Sequence, residues 1–153
     1  MASTRRFRKS KRRGTPHTAQ VLIAILATLE HFASVGDRDT KDCSVFRQHG
    51  IPYSPEKWLG RLPTVAERKR FSRAARQLEV EGSLERMTEA SRDRVAFLRP
   101  TAMGLRRASR LAGQYVNMAE VVRCVGQTEW GSELSRTLEG EFDDTSIDWR
   151  LVA

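Results

Sequence analysis

The chain has 153 residues and a formal charge of +8, from 27 Lys and Arg against 19 Asp and Glu, which fits one basic domain with appended segments. Its longest apolar stretch, Ala19 to Leu29, is interrupted by Gln20 and Thr28 and falls short of the roughly 20 residues a bilayer needs, so no membrane span is expected. Cys43 and Cys124 are its two cysteines, too few for a disulfide scaffold or an unaided four-ligand zinc site, and they suit a reducing, cytoplasmic setting.

Residues 1–17 carry Arg5, Arg6, Arg8, Lys9, Lys11, Arg12 and Arg13 with no acid. Apart from Phe7 they have almost nothing apolar to bury, so they read as a disordered basic arm. Seven like charges so close together mark a nucleic-acid arm more often than a solubilising tail. An export or transit signal fits poorly, because Glu30 and His31 end the apolar run and no small-x-small cleavage triplet follows it.

Thr15-Pro16-His17-Thr18 starts a helix, capped by Thr15 or Thr18, that runs to about Ala33. Val21, Leu22, Ile25, Leu26 and Leu29 form its apolar face, and Ile23 and Ala24 extend that face almost all round, as in a buried or interface helix. Ser34 to Lys41 is a polar loop. Asp37, Asp39 and Asp42 lack the Gly and Glu that a calcium loop requires. One or two short helices follow within 42–62, broken at Gly50-Ile51-Pro52 and restarted at Ser54-Pro55, with Trp58 and Leu59 facing the core.

Thr64-Val65-Ala66-Glu67 is a capping box, which predicts a helix over 65–81 stopped by Gly82 in the left-handed conformation. Phe71, Ala75, Leu78 and Gly82 share its buried stripe. Lys69, Arg73 and Arg76 form one ridge on the opposite side, with Arg70 and Ser72 beside them, while Glu67, Glu79 and Glu81 sit at the ends. Such one-sided basicity points to a nucleic-acid face. Two strands, Leu84–Glu89 and Val95–Arg99, are predicted next, joined by a turn near Ser91 that brings Arg92 and Arg94 to its tip. Thr101 then opens a helix to about residue 125 whose seam is Leu105, Ala108, Ala112, Tyr115, Ala119 and Val122, running through Gly113 without a break. That seam and the helix over 18–33 are the expected homodimer surfaces.

Charge also changes along the chain. Residues 63–112 hold twelve bases and six acids, whereas residues 113–153 hold three bases and eight acids. The domain is therefore expected over 18–125 with its core in 42–112, followed by an acidic, partly ordered tail over 126–153. That tail suits a protein partner, or self-masking of the basic surface. No enzyme and no cofactor is expected: His17, His31 and His49 are not at ligand spacing, no Gly-rich phosphate loop or His-Glu-x-x-His occurs, and Asp143, Asp144 and Asp148 belong to the acidic tail.

Three pieces of the segment from Thr64 to Arg107 resemble the winged helix-turn-helix of MarR-like transcriptional regulators. Ser72 to Arg86, with its Leu-Glu-x-x-Gly closing at Gly82, resembles the end of a recognition helix and a first wing strand. Arg92 to Leu98 resembles the wing tip and second strand. Thr101-Ala102-Met103-Gly104-Leu105 resembles the Thr-x-x-Gly start of the following helix. Ser83 departs from the pattern, standing where the family usually has a large apolar residue.

The resemblance implies a mainly helical α+β fold with a small hairpin wing and long flanking helices, and a homodimer on a pseudo-palindromic duplex. Helix 65–81 would enter the major groove through Lys69, Arg70, Ser72, Arg73 and Arg76, and the wing 84–99 would carry Arg92 and Arg94. Outside the resemblance, the arm residues Arg5, Arg6, Arg8, Arg12 and Arg13 are expected to track the backbone or minor groove, as flexible arms do in other DNA-binding modules. The expectation is a cytoplasmic, nucleoid-associated regulator of transcription. The alternatives are a protein-docking module and an RNA-binding accessory protein.

Overall fold

The computed structural model describes residues 16–35, 40–88 and 95–142. Seven α-helices and three strands lie among them: α1 Pro16–Val35, α2 Lys41–His49, β1 Ile51–Pro52, α3 Pro55–Leu59, α4 Val65–Val80, β2 Leu84–Thr88, β3 Val95–Pro100, α5 Ala102–Ala112, α6 Met118–Gly126 and α7 Ser132–Thr137. The protein is mainly helical with one small antiparallel sheet, an α+β arrangement.

α1 is the axis of the core. Val21, Leu22, Ile25, Leu26 and Leu29 are almost fully buried and pack against α4, α5 and α6. By length and composition alone α1 would also cross a membrane, but this face is taken up by its own chain. An apolar stripe so completely covered is a core stripe, so the expected dimer surface over 18–33 does not include it. Ile23, 45% exposed, lies on the face left open.

The sheet has the order β1-β3-β2. The two predicted strands pair as a hairpin in which Leu84 faces Pro100 and Met87 faces Phe97, with a bulge between Met87 and Thr88. The third strand is new. At the predicted break, Ile51 and Pro52 pair with Leu98 and Phe97, so the chain does not merely turn there. Two residues give no alternation to read, and a proline is tolerated because this strand lies at the edge.

Two other expectations fail. The helix over 101–125 is two helices: Gly113 takes a positive φ of 65° after α5, a short 3-10 turn follows, and Asn117 caps α6 by accepting from the Glu120 N–H. Tyr115, placed in the apolar seam, is 94% exposed. The core also continues beyond residue 125. Leu138 is 1% exposed, Trp130 donates its indole N–H to the Phe46 carbonyl at 2.9 Å, and Arg106 binds Glu141 in a two-pronged ion pair. Residues 126–142 are thus part of the domain, since burying a leucine contributes about 1.5–3 kcal/mol that a solvated tail forgoes.

The turn between α4 and β2, at Gly82 and Ser83, explains the Thr-x-x-Gly spacing. The Thr101 hydroxyl donates to the Gly82 carbonyl and accepts from the Gly104 N–H, so the start of α5 is pressed onto the Gly82-Ser83 backbone. A Cβ at Gly104 would lie 1.9 Å from the Ser83 carbonyl oxygen. Ser83, where a large apolar side chain was the pattern, is fully buried, and its hydroxyl accepts from Arg107 at 2.6 Å.

Candidate nucleic-acid interface

The basic helix α4 is held at both ends and along its inner side. The Thr64 hydroxyl accepts from the Glu67 N–H and the Glu67 carboxylate accepts from the Thr64 N–H, completing the capping box. Arg61 then grips Glu67 through two hydrogen bonds of 2.8 and 2.6 Å. Phe71, Ala74, Ala75 and Leu78 are buried, and the Phe71 ring meets Trp58 edge-on at 5.6 Å. Ala74 replaces Gly82 in the expected stripe: Gly82 is exposed beyond the helix, at a φ of 80°.

Lys69, Arg70, Ser72, Arg73 and Arg76 are all exposed, and the four cations make no ion pair among the described residues. The remaining acids of the α4 region are treated differently. Glu79 accepts from the Arg86 N–H and Nε, and Glu81 accepts from Arg107 and Gln77. All three carboxylates, Glu67 included, are therefore neutralised by an arginine from outside the helix, and none offsets the field of the ridge. The sequence places these acids at the ends of the helix and shows no cation paired with them; their arginines lie 6, 7 and 26 positions away, and only the fold brings them in.

The pairing makes a contribution to stability that depends on pH. The hydrogen bonds from Arg61, followed by those from Thr64, lower the Glu67 pKa from 4.5 to about 2. A depressed carboxylate stabilises the folded state above its unfolded pKa and loses that contribution as pH falls through its folded value. Glu67→Gln is therefore expected to melt below the wild type at pH 7, with the gap closing from about pH 4.5 downward and vanishing near pH 2. Thermal unfolding of both proteins across that range checks this; a gap that stays constant would mean the carboxylate charge is not what holds the cap.

The hairpin beside α4 uses its described arginines structurally. Arg86 binds Glu79, and Arg99 donates to the His49 carbonyl at 2.9 Å. Arg92 and Arg94 lie outside the described residues, as do Arg5, Arg6, Arg8, Arg12 and Arg13, together with Asp37, Asp39, Asp143, Asp144 and Asp148. Sequence reasoning passed over Arg68, exposed on the flank of α4, and over Val65 and Val80, which are 70% and 82% exposed at its two ends.

Away from the ridge, an apolar groove of about 700 Å³ runs between α1 and α3, lined by Ile23, Ala27, His31, Val45, Trp58 and Phe71 among others. Among the described residues no group of three or more His, Cys, Asp or Glu side chains is placed to hold a metal ion. Burial pushes the Cys124 thiol up to about 11, so it stays protonated at neutral pH and is a poor nucleophile.

No family model matches the chain, and neither the curated proteins nor the solved structures contain a significant match to it.

Proposed function

We propose that the chain is a winged-helix DNA-binding protein, a regulator of transcription that inserts α4 into the major groove of duplex DNA. The observation that carries this reading is the ridge of Lys69, Arg73 and Arg76, exposed and in no ion pair among the described residues, on a helix whose every carboxylate is clamped by an arginine from elsewhere. Arg offers a planar fork for guanine, and exposed Lys and Arg displace counterions from phosphates.

The element order supports the MarR-like resemblance. In this reading α2, β1, α3 and α4 lead into the hairpin β2–β3, α3 and α4 form the helix-turn-helix, and the hairpin is the wing; Arg92 and Arg94, which fall in the sequence between its two strands, would contact the DNA with it. A homodimer belongs to the reading. Because the inner face of α1 is already used, the second copy would meet Ile23 on α1, the exposed Leu111 near the end of α5 and Tyr115 in the 3-10 turn after it. Such a protein would reside with the nucleoid in the cytoplasm.

Selection from a random duplex pool at two salt concentrations, with the oligomeric state measured alongside, tests the proposal. Two enriched half-sites about one helical turn apart are expected from a dimeric reader. A steep salt dependence with no enrichment would leave a non-specific binder. Absence of duplex binding would overturn the proposal. The groove along α1 is the one observation favouring the protein-docking alternative, which a stoichiometric co-purifying partner would then support.

A further inference from the structure

The outward side of α4 is not purely basic. At 100° per residue, Val65, Lys69, Arg73, Arg76 and Val80 fall within about 80° of one another, so the same ridge that carries the cations begins and ends on an exposed valine. Valine is a weak helix former, and at 70% exposure Val65 adds little to the core. Neither helix formation nor packing accounts for it at this place.

Its surroundings hold it still. Val65 is the first residue of α4, directly after Thr64, in the turn fixed by the capping box and by the two bonds from Arg61 to Glu67. A β-branched side chain is stiff about its first torsion. The result is a rigid apolar knob one turn ahead of Lys69.

When a helix docks in the major groove it is the N-terminal residues that reach the base edges. The groove presents one apolar group there, the 5-methyl of thymine, and apolar side chains contact it. We propose that Val65 is a specificity residue that packs against a thymine methyl and fixes a T·A pair in the target, beside the bases or phosphates met by Lys69 and Arg73. This rests on α4 being the DNA-reading helix. The charge around Val65 favours a nucleic acid over an apolar protein surface as its occupant, because an apolar surface docking on this face would have to leave Lys69, Arg73 and Arg76 without counter-charges.

The test compares a duplex selected by the wild-type protein with the same duplex carrying deoxyuridine in place of thymidine, first throughout and then one position at a time. Uracil keeps every hydrogen-bonding group and lacks only the methyl. Wild-type affinity is expected to fall about three- to ten-fold at one position of each half-site. Val65→Ala is expected to bind the uracil and thymine duplexes equally at that position, and to unfold at the wild-type temperature. Leu62→Ala, which trims another exposed apolar residue just outside the helix, is expected to retain the full sensitivity. Indifference of the wild type to uracil would overturn the inference while leaving duplex binding intact. A uracil effect that persists in Val65→Ala, or that disappears in Leu62→Ala instead, would assign the contact to another residue. If no duplex is selected at all, the reading of α4 falls and this inference with it.

Discussion

Replacing Arg73 and Arg76 together by alanine is expected to lower affinity for a selected duplex by about two orders of magnitude, with unfolding free energy changed by less than about 0.5 kcal/mol. The two halves of that expectation come from the same observation. Both side chains are exposed and neither takes part in an ion pair among the described residues, so the fold gives up nothing when they are removed. If both arginines contact phosphates, the slope of log affinity against log salt should shrink by about two. If one reads a guanine, the loss should instead be concentrated at one position of the site. Arg86→Ala supplies the contrast. Its guanidinium binds Glu79, so its removal should lower stability and return a free carboxylate to the edge of the ridge. Fluorescence anisotropy across a salt series, with thermal unfolding of each variant, separates these effects; a double variant that binds as the wild type does would show that α4 is not the reader.

Gly104→Ala is expected to cost about 3 kcal/mol of stability or more, an unusually large effect for adding one methyl group. The new Cβ would lie 1.9 Å from the Ser83 carbonyl oxygen and 2.9 Å from its carbonyl carbon. Both are backbone atoms, so no side chain can swing aside. The start of α5 would have to lift off the turn, breaking the bond from the Thr101 hydroxyl to the Gly82 carbonyl and the one from the Thr101 N–H to the Ser83 carbonyl. Gly82→Ala gives the comparison. Nothing lies within 4 Å of its Cβ position, but its φ is 80°, so its cost is the left-handed backbone penalty of about 1–2 kcal/mol. Urea denaturation of both variants checks the order. Equal losses would mean that α5 shifts freely against the turn.

Those glycines also show what the sequence could reveal. The capping box at Thr64, the left-handed Gly82 and the Thr101 start are local devices, each complete within four or five residues, and all three were legible. So was the exposure of Lys69, Arg73 and Arg76, which follows from the burial of Phe71 and Leu78 on the other side of one helix. What escaped was non-local. β1 is defined only by its pairing with Leu98 and Phe97. The break after α5 arises at a glycine that a helix would also tolerate, and what decided it was Asn117 capping a new helix. The acidic composition after residue 126 concealed Trp130 and Leu138, whose places depend on Phe46 and the core rather than on their neighbours. The arginine clamps on Glu67, Glu79 and Glu81 likewise join different elements, so charge counted along the chain understated how basic the ridge is in space.

The central position of α1 has a consequence for synthesis. This helix is made before every element that covers it: α4, α5 and α6 begin at residues 65, 102 and 118. At about 5–20 residues per second, a ribosome needs roughly 5–20 s to pass from the end of α1 to the end of α6. Until that interval ends Val21, Leu22, Ile25, Leu26 and Leu29 lack their full set of partners, and Leu138 arrives later still. The nascent chain therefore exposes its most adhesive surface first and conceals it last, so its yield in a cell should depend on translation speed and on chaperones more strongly than its final stability would suggest.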